Sequence, residues 1–277
     1  MNFYTYLRQF YTEQTTKSYQ RAVDHFLLHS RSKNKSNYND ILNYISQQKI
    51  DSSRVVAALK RYFDYLIFID EREDHPCRQL IIKRKKQQIQ FQDLFSSEEL
   101  EKLMERKSRY EELKNRNKAI ISLLIYQGLS PANIVDLKVS DVDTENGMVY
   151  VKSTPRLTRR TLELKAPQIL LLFKYIEIDR KKTKADSNKL FIGKLGEPMS
   201  VDSLNRMLRP LKSLYRSRNL NANTIRKSVI TNWINEDKKP IEDVQLLAGH
   251  KWLSTTEQYK KDDDKSKVEM INRWFPL

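Results

Sequence analysis

The stretch LLAGHKWLSTTEQY, Leu246–Tyr259, decides the reading of this chain. It sets one His behind Ala-Gly, then two Thr, then a Tyr nine residues beyond the His. An amphipathic helix asks only for apolar residues at steps of three and four. It does not ask for this order of polar groups, whereas a site that transfers phosphate could. Ala248-Gly249 has the form of a helix that stops tightly on glycine just before His250. Arg226 lies twenty-four residues before His250, near the start of a helical run, IRKSVITNWI, Ile225–Ile234. Taken singly, such a Tyr packs, such a His is hydrogen-bonded within the fold and such an Arg is a surface charge. Their joint spacing sets the three apart.

The composition narrows the partners. Fifty-one Lys and Arg stand against thirty-five Asp and Glu, a net charge of +16 in 277 residues. An excess of that size points to a polyanion, most simply nucleic acid, and the cations cluster. Lys83, Arg84, Lys85 and Lys86 close the run RQLIIKRKK, and Lys152, Arg156, Arg159, Arg160 and Lys165 crowd a second stretch. Arg206, Arg209, Lys212, Arg216 and Arg218 recur at steps that would line one side of a helix. No apolar run approaches the ~18 residues of a membrane span. The start, MNFYTYLRQFYTEQ, lacks the apolar core of a secretion signal. One cysteine, Cys77, excludes an internal disulfide framework and a Cys-rich zinc site. The expectation is a cytoplasmic, nucleoid-associated protein without a membrane partner.

The periodicity divides the chain. Residues 2–70 carry apolar and aromatic residues at helical spacing, among them Phe3, Tyr6, Leu7, Phe10, Tyr19, Val23, Phe26 and Leu27. They predict a bundle of about four helices whose aromatics are core rather than base-stacking platforms. Pro76 ends that pattern, and the basic, Gln-rich run after it has no apolar period. This gives an N-terminal domain over 1–82, a linker over 83–95 and a second domain over 96–277. The second opens on SSEELEKLMERK, a Ser ahead of acidic residues and Leu100, Leu103 and Met104. A strongly apolar helix ends at Gly128, and Asn146-Gly147 then marks a turn between short β-branched runs. Two or three short strands are expected between Val142 and Leu164, followed by further helices. The fold class is mainly α with a small β-hairpin or three-stranded sheet.

LLAGHKWLSTTEQY closely resembles the LLGHxxxxTTxxY motif of the tyrosine recombinases, the phage-integrase family. The order of SDVD with its hairpin, LF before a glycine-containing loop, IRKSVITNWI and an N-terminal helical segment extends the resemblance over nearly the whole chain. It implies a helical core-DNA-binding domain followed by an α+β catalytic domain. It implies that Tyr259 attacks a DNA phosphodiester, giving a 3′-phosphotyrosine and a free 5′-hydroxyl without metal, ATP or other cofactor. Arg226 would stabilise the charge on the attacked phosphate. His250 would bond that phosphate or take the tyrosine proton. Thr255 and Thr256 would cap or orient the tyrosine segment.

The sequence departs from the family pattern at four places. Ser130, in QGLSPANIVDL, stands where the family's first arginine is expected, and Asn133 replaces the acidic residue three positions later. Asn223 replaces the first His of the HxxR box, and the hairpin lysine has Lys152 as its nearest match. Serine offers one neutral hydrogen bond where guanidinium offers two charge-assisted ones. A substitute cation is therefore expected among Lys152, Arg156, Arg159 and Arg160, with Arg156 the first choice because the hairpin turn should reach the phosphate.

These readings add up to a site-specific recombinase acting on double-stranded DNA as a homotetramer. Its tail, through Val268, Ile271, Trp274 and Phe275, would dock on a neighbouring protomer. Accessory DNA-bending proteins are among the partners the resemblance allows. Two other readings stay open at this level: a catalytically degenerate DNA-binding relative, and a general nucleic-acid-binding regulator.

Overall fold

The structure, a computed structural model, describes residues 1–30, 33–47, 52–82, 88–105, 110–183, 186–215 and 218–261. The basic run Lys83–Lys86, Arg216 and the tail residues Val268, Ile271, Trp274 and Phe275 lie outside the described residues. The chain separates into two compact units, Met1–Gln87 and Gln88–Leu277.

In the first unit, helices α1 (Phe3–Arg8), α2 (Glu13–His29), α3 (Tyr38–Gln47) and α4 (Ser52–Phe68) follow the predicted spacing. Their apolar faces meet over Leu7, Phe26, Ile41, Leu59 and Phe63, all fully buried. Several aromatics pack edge-on within this core, Phe3 against Tyr62 at 5.3 Å for example, and others meet at a tilt. Cys77 is buried beside them, and desolvation pushes its thiol up to about 12, which leaves it inert.

The second unit begins ahead of the expected start at 96. Phe95 is buried, its N–H donates to Ser228 Oγ at 3.0 Å, and its carbonyl accepts from Asn232 Nδ2 at 3.0 Å. These bonds tie residues placed in the linker to the helix that carries Arg226. Helix α5 (Ser97–Glu105) opens with a reciprocal cap, the Ser96 N–H donating to the Glu99 carboxylate and the Glu99 N–H to Ser96 Oγ. Helix α6 (Lys114–Tyr126) begins on the polar run KNRNK and is apolar nearly all round from Ala119 on, with Ala119, Ile120, Leu123 and Leu124 fully buried. A short α7 (Pro131–Asp136) precedes the sheet.

Strands β1 (Val142–Asp143), β2 (Met148–Val151) and β3 (Arg160–Glu163) form an antiparallel sheet in the order β1-β2-β3. Val149 pairs with Leu162 and Val151 with Arg160. Asp143 Oδ1 accepts from the Glu145 and Asn146 N–H groups in the predicted turn. Helix α8 (Ala166–Lys174) continues as a π-turn over Tyr175–Arg180. Helix α9 (Val201–Leu208) ends before Pro210, so Arg209 and Lys212 fall on a 3₁₀ segment and do not continue one helical face with Arg206. Helices α10 (Ala222–Asn235), α11 (Ile241–Ala248) and α12 (Leu253–Glu257) complete the unit. Among the described residues no helix is long and apolar enough to cross a membrane.

Candidate functional site

Helix α10 starts on Asn221, whose side chain accepts from the Thr224 N–H at 3.0 Å. Just past its first turn, Arg226 points inward and is 7% exposed. Its guanidinium donates to Gly128 O, just beyond α6, and through Nη2 to Ala248 O at 2.7 Å. Ala248 is the last residue of α11, so the cation sits where that helix presents unsatisfied carbonyls and a partial negative charge. Burial lowers the Arg226 pKa to about 10, opposed by Tyr259. The group remains charged at neutral pH.

Helix α11 stops as the sequence predicts. Gly249 is left-handed at φ +71°, its N–H donates to Leu246 O, and the His250 N–H reaches back to Gln245 O, both at 3.0 Å. This is a Schellman closure, and it delivers His250 into the interior, where it is 7% exposed. Nδ1 of His250 is paired with Thr256 Oγ1 at 2.9 Å, which leaves Nε2 for other partners. Desolvation, then Arg226 and Arg160, push this imidazole down to about 4, so it is neutral at physiological pH.

The ring of Tyr259 stacks nearly parallel to that of His250, centroids 5.8 Å apart. Burial raises its pKa and Arg226 opposes the rise. The guanidinium thus favours the phenolate form of this ring.

A second guanidinium meets the same pocket. Arg160, the first residue of β3, is 9% exposed and shares the inward face of the strand with Leu162. It lies against Gly249 so closely that a Cβ there would stand 2.3 Å from Arg160 Nη1. The neighbouring chain is joined to this segment: the Thr158 N–H donates to Gly249 O at 2.9 Å, and Leu157 bridges His250. Among the described residues, Nη1 of Arg160 has only a long contact with Thr158 O, at 3.4 Å, while Nε and Nη2 are buried without a partner.

The other residues singled out by sequence take these positions. Arg156 and Arg159 are exposed on the loop ahead of β3, and Asn223 is exposed on the first turn of α10. Lys152, just after β2, pairs with Asp141 at 3.5 Å. Ser130 caps α7: its Oγ accepts from the Asn133 N–H at 3.1 Å and donates to Asn133 Oδ1 at 2.7 Å. Thr256 and Asn235 enter the site as partners of His250 and Tyr259, roles that sequence spacing did not assign. Arg160 carried a signal that was there to be read: alternation along RTLEL puts it on the face of Leu162 and Leu164, which is the buried face.

The model of the phage integrase family matches residues 93–266. The tyrosine recombinase XerC of Lactobacillus delbrueckii subsp. bulgaricus is 26% identical over 222 residues, covering 76% of this chain and 73% of that protein. A tyrosine recombinase of Thermosipho africanus is 24% identical over 277 residues, covering 95% and 94%. Among solved structures, a lambda integrase dimer bound to a COC′ core site superposes with a TM-score of 0.68 at 15% identity, covering 94% of this chain and 75% of that one. XerH bound to its difH substrate gives 0.64 at 19% identity, covering 88% and 72%. The chain belongs to the phage integrase family of tyrosine recombinases.

Proposed function

We propose that this protein is a site-specific DNA recombinase that cuts and rejoins duplex DNA through a tyrosine ester. The observation that carries the reading is that the Arg226 guanidinium, the His250 imidazole and the Tyr259 phenol share one pocket. Tyr259 Oη attacks the phosphorus, the bond to the 5′-oxygen breaks, and the 3′-phosphate stays on the enzyme. Nε2 of the neutral His250 takes the tyrosine proton or holds a phosphate oxygen. Arg226 neutralises charge that grows on the non-bridging oxygens. Lys152 protonates the departing 5′-oxygen after leaving Asp141. Rejoining runs the same steps backward on a second 5′-hydroxyl, so the ester conserves the bond and no cofactor is consumed.

Exchange between two sites takes four protomers, each holding its DNA chiefly through phosphate contacts. The net charge of +16 supports this, and affinity should fall steeply with salt. A pool of nicked duplexes with randomised sequence tests the reading whatever the target sequence is. The recombinase forms a covalent complex that survives denaturant, and Tyr259→Phe forms none. A DNA-binding relative without chemistry would shift the same duplexes and leave no covalent complex.

A further inference from the structure

We infer that Arg160 is a catalytic residue, its Nε–Nη2 edge gripping the non-bridging oxygens of the attacked phosphate and supplying the guanidinium that position 130 lacks. This rests on the recombinase reading above and names a residue for it. Three consecutive residues organise the pocket: Ala248 O holds Arg226, Gly249 leaves room for Arg160 against its Cα, and His250 presents its own ring. Arg160 is thereby placed beside the other groups by the chain segment that carries the imidazole.

The orientation of the fork matters as much as its place. Nη1 lies against Gly249, while Nε and Nη2 are buried with no partner among the described residues. Those two nitrogens form the side-on edge of a guanidinium, whose parallel N–H groups match two oxygens of a phosphate. Buried polar groups are almost always paired, and an unpaired edge on a buried cation is tolerated where a ligand completes it. Other cations near the hairpin are less well placed: Arg156 and Arg159 are exposed, and Lys152 already serves the departing 5′-oxygen. Ser130, with its hydroxyl engaged by Asn133, offers the phosphate nothing. Two guanidiniums on one phosphate answer the two negative charges of a pentavalent transition state.

The test compares cleavage of a nicked duplex with an ordinary scissile phosphate against one with a methylphosphonate there, which lacks one charged oxygen. Arg160→Ala and Arg160→Met, the latter keeping most of the buried volume, should each cleave the ordinary duplex about 100- to 1000-fold more slowly than wild type. On the methylphosphonate both should come within about tenfold of wild type, because the charge Arg160 neutralises is gone. Unchanged cleavage of the ordinary duplex by either variant overturns the assignment. Equal loss on both substrates by variants that still bind DNA makes Arg160 structural and also overturns it. If wild type forms no covalent complex on either duplex, the recombinase reading falls and takes the assignment with it.

Discussion

Asn235 grips the backbone on both sides of Lys260: its Nδ2 donates to Tyr259 O at 2.8 Å and its Oδ1 accepts from the Lys261 N–H at 2.9 Å. Asn235 is the last residue of α10, the helix that also carries Arg226. One rigid element therefore sets the position of both Tyr259 and Arg226, the proposed nucleophile and the proposed phosphate clamp. Arg226 is fixed through its side chain, and Tyr259 through the chain that bears it.

Loosening that grip should slow chemistry more than binding. Asn235→Ala removes both hydrogen bonds and lets the phenol drift from its line of attack. The expected result is single-turnover cleavage slower by up to about a hundredfold, with duplex affinity within about twofold of wild type. Rapid-quench kinetics and filter binding measure the two quantities separately. A parallel loss of affinity would mean that Asn235 holds up more than the tyrosine segment.

His250 makes a prediction about pH. Its pKa lies near 4 in the folded protein, below the ordinary 6.5 of the unfolded chain. The unfolded chain therefore binds this proton first as pH falls. The stability held by the neutral ring is fully present above about pH 6.5 and is lost as pH drops toward 4, up to about 3 kcal/mol. Denaturant titrations at pH 7.5 and 4.5 should show a smaller difference for His250→Gln than for wild type. An equal difference in both proteins would mean that this ring is not the titrating group.

Thr256 should act through His250. Thr256→Val keeps the shape but deprives Nδ1 of its partner, and a hydrogen bond of about 1.5 kcal/mol corresponds to roughly tenfold in cleavage rate. Thr256→Ser keeps the hydroxyl and should restore most of the rate. If serine were no better than valine, packing rather than the hydrogen bond would be the role of this residue.

Two glycines separate fold from chemistry. Gly249→Ala is strained at φ +71° and drives its Cβ into Arg160 Nη1, so both stability and cleavage should fall. Gly147→Ala is strained at φ +66° but meets only the flexible end of Ile169, at 2.9 Å. It should cost about 1–2 kcal/mol with little change in cleavage per folded molecule. Thermal unfolding and single-turnover cleavage on both variants check the contrast. Similar loss of activity in the two would remove the special place given to Gly249.

Ser130→Ala completes the set. Loss of the cap on α7 should cost about 1 kcal/mol of stability and leave the cleavage rate within about twofold. A hundredfold drop would show that the hydroxyl touches the phosphate after all.

Part of this is legible in the amino-acid order. Helical spacing locates the N-terminal helices, Asn146-Gly147 locates the sheet, and Ala248-Gly249 locates the stop that turns His250 inward. These are local signals, carried by period and by backbone conformation. What stays hidden depends on which groups meet across the fold. Nothing near Arg160 in sequence says that Gly249 will lie against it, and a run with several cations does not name the buried one unless strand alternation is followed through Leu162. Asn235 looks like an ordinary helix-end residue until Tyr259 and Lys261 return to it. The second unit's start at Gln88 escapes for the same reason: Phe95 belongs to the core only because Ser228 and Asn232 reach it from α10.

The most direct measurement of the central claim is mass spectrometry of the peptide recovered from the covalent complex with nicked DNA. A nucleotide joined through its 3′-phosphate to Tyr259, and absent from Tyr259→Phe, is the predicted result. Attachment at another side chain, or a covalent complex that persists in Tyr259→Phe, would contradict it.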